Sequence, residues 1–142
     1  MTTPRRRADR NLFVDSSAFF ALFNSAEPQH QAARAVLERA ASEATGLLTT
    51  NFVVAETHAL TLARIGHVPA TRFLRTMEQT SIRVIRATIR DEAVGREIID
   101  RYEDKDCSLT DAISFAVMRR LGITTAFSFD RDFVRFGFIP AT

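Results

Sequence analysis

Carboxylates at four positions of the chain are spaced so that they could do chemistry together. They are Asp15, Glu56, Asp111 and Asp130. Asp15 and Asp130 each come directly after a short apolar run and directly before a helical pattern. Asp111 falls in the first turn of another predicted helix, and Glu56 falls in the second turn of a third. Because ligands of an open parallel sheet bind beyond the carboxyl ends of its strands, these side chains are predicted to meet at one edge of the sheet.

Such a meeting of acids predicts a bound metal ion. Carboxylates at one edge repel each other, and the positive ends of nearby helices offset only part of that repulsion. Hard divalent cations with oxygen ligands remove the conflict, and Mg²⁺ or Mn²⁺ is the natural choice. A site of this kind can activate water and neutralise the charge that builds up on a phosphate. The quartet is therefore predicted to be both catalytic and metal-binding, in a hydrolase that cleaves phosphodiesters.

Each acid also has a purely structural interpretation. Asp15 and Asp130 have the position of ordinary helix N-caps. Ser108 and Asp111 have the spacing of a capping box. Glu56 differs, because its neighbours on the same helical face are apolar, and a buried glutamate must be paired, neutral or metal-bound. A buried pair with an arginine is the alternative for that residue.

Short β-like runs alternate with amphipathic helical stretches along the chain. Strands are predicted at residues 11–14, 47–50, 81–86, 123–129 and 138–139. Helices are predicted over residues 69–79, 94–102, 108–122 and 130–136. Three earlier helices are predicted from the residues at their ends. The first has a cap at Ser16 or Ser17, the second starts near Pro28 and stops at Gly46, and the third has a cap at Asn51 and stops near Gly66. This alternation predicts an α/β fold with a central, mainly parallel sheet flanked by helices.

The composition fits a small domain that meets nucleic acid. The only cysteine is Cys107, so no intramolecular disulfide can form, which suits a reducing, cytoplasmic compartment. The net charge is +2 and the isoelectric point is about 9.3, and Lys105 is the only lysine, so the positive charge is nearly all arginine. Arginine binds phosphate oxygens well, although a compositional bias toward arginine explains the same numbers.

One domain accounts for most of the chain. Residues 1–10, which include three successive arginines, are interpreted as a flexible basic arm, and residues 11–142 as the nuclease domain. Polar residues from Asp15 onward interrupt the first apolar run, which argues against a secretory signal. No apolar run approaches the roughly 20 residues that a membrane-spanning helix needs, so no membrane partner is expected.

The residues around the four acids resemble those of PIN-domain ribonucleases, specifically the VapC-type toxins of bacterial toxin–antitoxin pairs. The resemblance runs from about Asn11 to Ile139. Four blocks carry it in the family's order: an apolar strand ending in aspartate, a helix bearing a glutamate, a Ser-Leu-Thr-Asp helix start, and a second strand ending in aspartate. These blocks are residues 12–18, 50–56, 108–112 and 126–133.

The resemblance implies a PIN-like fold, Mg²⁺ or Mn²⁺ as cofactor, endoribonuclease activity on RNA, a homodimer and a cognate antitoxin protein. It implies that Asp15 and Asp111 are the leading metal ligands and that Glu56 and Asp130 complete the pocket. It also implies accessory roles for two further residues. They are Ser128, which can supply a hydroxyl, and Asp132, which can share or take the role of Asp130.

Three other interpretations fit parts of the pattern. A receiver-like phosphoacceptor needs a lysine near the last strands, but Lys105 precedes that region. Cleavage by histidines would require His30, His58 or His67, which fall in predicted helices or a loop and are interpreted as surface or structural residues. A catalytically silent PIN-like module that binds RNA or a partner is the remaining alternative. The acidic set argues against it, because a binding surface gains nothing from carboxylates where phosphates must approach.

Overall fold

The structure is a computed structural model that describes residues 10–103 and 106–141. The predicted basic arm lies outside the described residues except for Arg10, and so does Lys105. Within the described ranges the chain forms five strands and seven helices. The strands are β1 (Asn11–Val14), β2 (Gly46–Thr50), β3 (Arg83–Ile85), β4 (Thr125–Phe127) and β5 (Ile139–Pro140). The helices are α1 (Ser16–Phe23), α2 (His30–Ser42), α3 (Asn51–Arg64), α4 (His67–Gln79), α5 (Ile89–Arg101), α6 (Leu109–Leu121) and α7 (Arg131–Arg135).

The five strands form one sheet in the order β3-β2-β1-β4-β5, and every described pair is parallel. The predicted α/β fold class is confirmed, with a sheet that is wholly rather than mainly parallel. All carboxyl ends therefore lie at one edge. β1 and β4 are neighbours although more than a hundred residues separate them, and Val14 is aligned with Phe127. The residues that follow these two strands consequently lie side by side.

Two helices begin earlier than the signals at Ser16, Ser17 and Asn51 predicted, α1 by one or two residues and α3 by one. The N-cap of α1 is Asp15 rather than Ser16 or Ser17, and the N-cap of α3 is Thr50 rather than Asn51. In both cases the residue in extended conformation immediately before the helix takes the cap, because its side-chain oxygen accepts a backbone N–H of the first turn. Asn51 instead accepts a hydrogen bond from the backbone N–H of Ala87 at 2.9 Å, which joins α3 to the segment after β3.

The other differences are shorter elements. The helix predicted to run from Pro28 to Gly46 covers only His30–Ser42, and left-handed Ala44 (φ 52°) follows it. Gly46 is the first residue of β2 rather than a helix stop. The fourth strand loses both ends, because Ile123 closes α6 by donating to a carbonyl of that helix, and residues 128–130 turn toward α7. Within the described residues, no helix is both long and apolar enough to cross a membrane.

Phenylalanine side chains fix α6 against α7. Residues 111–118 of α6 are all buried, so this helix is enclosed by the rest of the fold. The ring centroid of Phe115 lies 4.9 Å from that of Phe133, 4.3 Å from that of Phe136 and 5.6 Å from that of Phe138. Aromatic pairs at such distances add to the free energy of burial. The contact holds the starts of α6 and α7 in a fixed relation.

The left-handed backbone conformation of Gly122, at the end of α6, can be tested by substitution. Gly122 has a φ of 70°, and its N–H donates to the carbonyls of Arg119 and Met118. A Cβ added there would meet no other atom within 4 Å, so the only cost of a side chain is the left-handed backbone conformation. Gly122→Ala is expected to lower the free energy of unfolding by about 1 kcal/mol in chemical denaturation. Gly122→Asn should lose less, since asparagine tolerates this conformation; equal losses would contradict the assignment.

Candidate active site

Three of the four predicted acids meet at the carboxyl edge of the sheet. Asp15, Asp111 and Asp130 each offer a carboxylate oxygen, and these oxygens all lie within 4.8 Å of one another. Asp15 directly follows β1 and Asp130 lies three residues after the end of β4, so the strand register brings them together. Asp111 enters from the first turn of α6. Asp15 and Asp111 are buried and Asp130 is half-buried, so the cluster opens to solvent on the side of Asp130.

The same three carboxylates also cap helices. Asp15 accepts a hydrogen bond from a backbone N–H of α1, Asp111 from the N–H of Ser108 at 3.3 Å, and Asp130 from the N–H of Asp132 at 2.9 Å. Ser108 and Asp111 form the complete capping box that the sequence predicted. A cap uses one carboxylate oxygen and leaves the other available. Capping and metal binding are therefore compatible roles for these residues.

Two serine hydroxyls hold one oxygen of Asp15. Ser17 Oγ and Ser128 Oγ each donate to Asp15 Oδ2 at 2.9 Å. Both serine oxygens in turn accept backbone N–H groups from residues 129–130, which directs their protons toward the carboxylate. Asp15 Oδ1 receives a long contact of 3.5 Å from Ser16 Oγ, which makes a shorter hydrogen bond of 2.7 Å to Glu56. The arrangement leaves Oδ1 as the oxygen that can bind a ligand.

Sequence reasoning singled out Ser128 but not Ser17. Ser17 lies just after an aspartate at a helix start, which is the pattern of a helix cap. The local sequence does not show whether its hydroxyl caps the helix or donates to the carboxylate of Asp15. The signal that could have found Ser17 is the pairing of β1 with β4, which brings the two serine hydroxyls to 3.2 Å from each other. That pairing is a tertiary property.

Glu56 stands beside the cluster rather than within it. Its side chain is half-buried on α3, and Oε1 accepts a hydrogen bond of 2.7 Å from Ser16 Oγ. Among the residues that the structure describes, no arginine forms a salt bridge with it, so the alternative of a buried arginine pair has no support there. Ser16 links Glu56 to Asp15, and the charge of Glu56 helps to raise the pKa of both Asp15 and Asp111.

Asp132 and the histidines lie elsewhere. The buried carboxylate of Asp132 pairs with Arg135 Nη1 at 3.4 Å and is not one of the three clustered acids. His30 contacts the backbone carbonyl of Ala21 at 2.7 Å, a structural contact between α1 and α2. His58 is half-buried on α3, and His67 is exposed at the start of α4.

Burial and mutual repulsion raise the pKa of two of the clustered acids, Asp15 and Asp111. Burial raises the pKa of Asp111 to about 7, with the charges of Asp15 and Asp130 adding to the effect and the N–H of Ser108 opposing it. Burial also raises the pKa of Asp15, against the hydrogen bonds from Ser128 and Ser17. At neutral pH the cluster without a cation therefore retains a proton on Asp111 in a large fraction of molecules. A bound divalent cation would displace that proton.

The donor set fits a hard divalent cation. It consists only of carboxylate and hydroxyl oxygens, which suit Mg²⁺ and Mn²⁺ rather than a softer metal that prefers nitrogen or sulfur. Within residues 10–103 and 106–141, no arginine pairs with Asp15, Asp111 or Asp130, so nothing described there neutralises the three carboxylates.

Fold and site together define a family of proteins. Residues 12–139 match the PIN domain, and the chain belongs to the PIN-domain family. The predicted resemblance is thereby confirmed. Within the family the chain is similar to a protein named 23S rRNA-specific endonuclease VapC20 from Mycobacterium tuberculosis. The two are 36% identical over 128 residues, which cover 90% of this chain and 95% of that protein.

Further relatives agree with this placement. Ribonuclease VapC26 of Mycobacterium tuberculosis is 26% identical over 120 residues, covering 84% of this chain and 87% of that protein. The crystal structure of VapC20, described as a sarcin–ricin loop cleaving toxin, matches with a TM-score of 0.83 at 35% identity, covering 90% of this chain and 96% of that one. PAE2754 from Pyrobaculum aerophilum matches with a TM-score of 0.57 at 20% identity, covering 94% of this chain and 85% of that one, and shares the fold.

The raised pKa of Asp111 has a consequence for stability. Since its folded pKa is about 7 against an ordinary 3.8, the folded protein binds the extra proton between these values and the unfolded chain does not. Without metal, the free energy of unfolding should therefore fall as the pH rises from about 4 to about 7. Asp111→Asn keeps an acceptor for Ser108 and removes the charge. In chelator at neutral pH it is expected to be more stable than the parent by about 1 to 4 kcal/mol, since each pKa unit corresponds to about 1.4 kcal/mol.

Chemical denaturation of both proteins at several pH values measures this difference. Asp100→Asn, an exposed carboxylate on α5, is the matched control and should follow the parent profile. Parallel profiles for Asp111→Asn and the parent would contradict the proton on Asp111.

Proposed function

We propose that this chain is an endoribonuclease, dependent on Mg²⁺ or Mn²⁺, that acts as the toxin of a toxin–antitoxin pair. The observation that carries the proposal is the group of three carboxylate oxygens within 4.8 Å on a PIN fold. Relatives named as endonuclease and ribonuclease support the activity. We assign residues 11–142 as the nuclease domain, residues 1–10 as its basic arm, and the cytoplasm as its compartment.

The acids divide into two roles. Asp15, Asp111 and Asp130 are the proposed ligands of a divalent cation, with Oδ1 of Asp15 as the ligand atom because Oδ2 already accepts two hydroxyls. Glu56 is the fourth catalytic acid at the rim. Ser16 fixes its Oε1, so its other oxygen is free to orient a water molecule near the scissile phosphate. Asp132 is a weaker candidate than Asp130, because Arg135 occupies its carboxylate.

The proposed reaction is hydrolysis of a phosphodiester. A cation held by Asp15, Asp111 and Asp130 would supply positive charge to the phosphate and would promote loss of a proton from the attacking water. The oxygen of water attacks phosphorus in line and gives up a proton to solvent. The bond from phosphorus to the 3′ oxygen breaks, and the leaving 3′ oxygen takes up a proton from solvent. The products carry a 5′-phosphate and a 3′-hydroxyl. The protein contributes by fixing the carboxylates before substrate arrives, so little reorganisation accompanies the reaction.

We propose the sarcin–ricin loop of 23S rRNA as the substrate. The support is a relative named for 23S rRNA cleavage that aligns over 95% of its own length at 36% identity, and whose structure is described as that of a sarcin–ricin loop cleaving toxin. Of the 19 lysine and arginine residues of the chain, 18 are arginine and one is Lys105. Guanidinium groups suit the phosphates of a folded RNA.

We propose two protein partners. A cognate antitoxin is expected to insert an arginine or lysine among the carboxylates, where its charge replaces the cation and its bulk excludes RNA. A second copy of the chain is the other partner. The inner faces of α3 and α4 pack on the core, but Leu62, Ile65 and Val68 at their junction remain 45%, 45% and 65% exposed. Such an apolar group is suited to a homodimer contact.

Cleavage of ribosomes tests the activity and the substrate. Purified protein is incubated with ribosomes and Mg²⁺ or Mn²⁺, and new 5′ ends are sequenced. We expect one main cut in the sarcin–ricin loop, with 5′-phosphate ends, that is abolished by chelator. Asp15→Asn should reduce the rate by roughly 100-fold or more, because even outer-shell changes at metal sites cost about 10- to 100-fold. Asp100→Asn, at an exposed carboxylate that is not part of the cluster, should cleave like the parent.

Several results would reject parts of this assignment. Full activity in excess chelator, or products with a 2′,3′-cyclic phosphate, would exclude the metal-dependent hydrolysis. Cuts at other RNA sites would exclude the proposed substrate but keep the nuclease. RNA binding without any cleavage would favour the catalytically silent module.

Expression in a bacterial host tests the toxin role. The parent chain alone is expected to arrest growth, and co-expression of a small antitoxin encoded beside it should restore growth. Asp15→Asn should not arrest growth although it accumulates as a folded protein. Growth arrest that the partner does not relieve would argue for a nuclease outside a toxin–antitoxin pair.

A further inference from the structure

Gly95 allows α5 to lie directly on the backbone of α6. A Cβ built on Gly95 would be 2.8 Å from Ile113 Cγ1 and 3.2 Å from the backbone nitrogen of Ile113. A contact of 2.8 Å essentially never occurs for a real Cβ, and one of 3.2 Å is unusually tight, so any other residue would push the two helices apart or displace Ile113. Ile113 is fully buried and lies two residues after Asp111. The separation of the helices is thus set close to the clustered acid.

An ion pair between a buried carboxylate and an exposed arginine joins the same helices at a second point. The carboxylate of Asp91, which is 2% exposed, accepts hydrogen bonds from Nε and Nη2 of Arg120, both at 2.9 Å. Asp91 also accepts the N–H of Thr88 at 2.8 Å, completing the capping box of α5. These bonds lower the pKa of Asp91 despite its burial, so it is charged at neutral pH. The start of α5 is therefore tied to the last turn of α6.

The two contacts restrain different movements of α6. They pair residue 91 with residue 120 and residue 95 with residue 113, so the helices run antiparallel. The forked bond from Arg120 resists sliding along the helix axis, because a shift of one residue, about 1.5 Å, would break its geometry. The close approach at Gly95 sets how far α6 lies from α5. Sliding of α6 along its axis and a change in its distance from α5 would each move Asp111 relative to β1 and β4.

The acidic cluster requires such a restraint. Three carboxylate oxygens within 4.8 Å repel each other, and in a buried site this repulsion is only weakly screened. Asp15 and Asp130 follow strands that the sheet holds together, but Asp111 belongs to a helix and is attached to no strand. The force between the carboxylates therefore acts on the position of α6.

We propose that Gly95, Asp91 and Arg120 are positioning residues that hold Asp111 within reach of a cation shared with Asp15 and Asp130. The inference rests on the proposed function, because it takes the cluster to be a cation site. None of the three residues touches the cluster; they act through the placement of α6. They correspond to no feature of the four acidic sequence blocks.

Binding of Mn²⁺, followed by electron paramagnetic resonance, tests this role without any RNA. Gly95→Ala is expected to weaken Mn²⁺ binding by at least about fivefold while remaining folded by circular dichroism, since a shift of about 1 Å is enough to spoil a metal site. Ala93→Gly is the matched control. It exchanges the same two residue types at an exposed position of the same helix, so it weakens α5 without moving α6.

Two further variants identify the contact itself. Ile113→Ala removes Cγ1, the nearest atom to the new methyl group, and leaves the 3.2 Å contact with the backbone nitrogen. Adding Gly95→Ala to it should therefore cost less Mn²⁺ affinity than adding it to the parent. Arg120→Gln should weaken Mn²⁺ binding as Gly95→Ala does, and Arg120→Lys, which keeps the charge without the fork, should lie between Arg120→Gln and the parent. These variants remain informative if Gly95→Ala fails to fold.

The inference is overturned if Gly95→Ala and Arg120→Gln bind Mn²⁺ as the parent does, or lose no more affinity than Ala93→Gly. Failure of the proposed function has a different signature. A parent protein that binds Mn²⁺ through Asp15 but cuts no RNA would reject the nuclease and keep the positioning role. A parent protein that binds no Mn²⁺ would reject both.

Discussion

Repulsion among carboxylates at the carboxyl edge of the sheet is the constraint on which the rest of the structure depends. Oxygens of Asp15, Asp111 and Asp130 lie within 4.8 Å of one another, two of the three residues are buried, and no described arginine pairs with them. Charges so placed interact strongly where water is scarce. The fold opposes this with backbone N–H groups at helix starts, with the hydroxyls of Ser17 and Ser128, and with a proton on Asp111.

The register of the central strands determines which atoms meet. Val14 pairs with Phe127, and the N–H of Asp15 donates to the carbonyl of Phe127 at 3.0 Å, which extends the ladder by one bond beyond β1. From the other side, Thr49 Oγ1 donates to the carbonyl of Val14 at 2.7 Å. Side chains alternate between the faces of a strand, so a slip of one residue would turn Asp15 away from Ser128. The site therefore depends on the interior of the sheet as much as on its loops.

The sequence predicted features that depend on residues near one another in the chain, and it missed features that depend on contacts between distant segments. Strand ends, helix starts and the capping box at Ser108 are local, so an α/β fold and the meeting of Asp15, Asp111 and Asp130 could be expected from the pattern. The offset of Glu56 could not, because it depends on the direction in which α3 leaves β2. The contact of Gly95 with Ile113 has no local signal either. A glycine inside a helix normally reads only as a weak helix former.

The double use of the same aspartates explains how this cluster can exist before a cation binds. A helix cap is satisfied by one carboxylate oxygen, and the helix start next to it favours negative charge. The fold therefore gains from an aspartate at each position even while the second oxygens repel each other. Replacement of one acid by alanine would remove a cap together with a ligand, whereas asparagine would keep a cap and remove the charge. Structural and chemical roles at this edge are separable by the choice of substitution, because they reside on different oxygens of the same side chains.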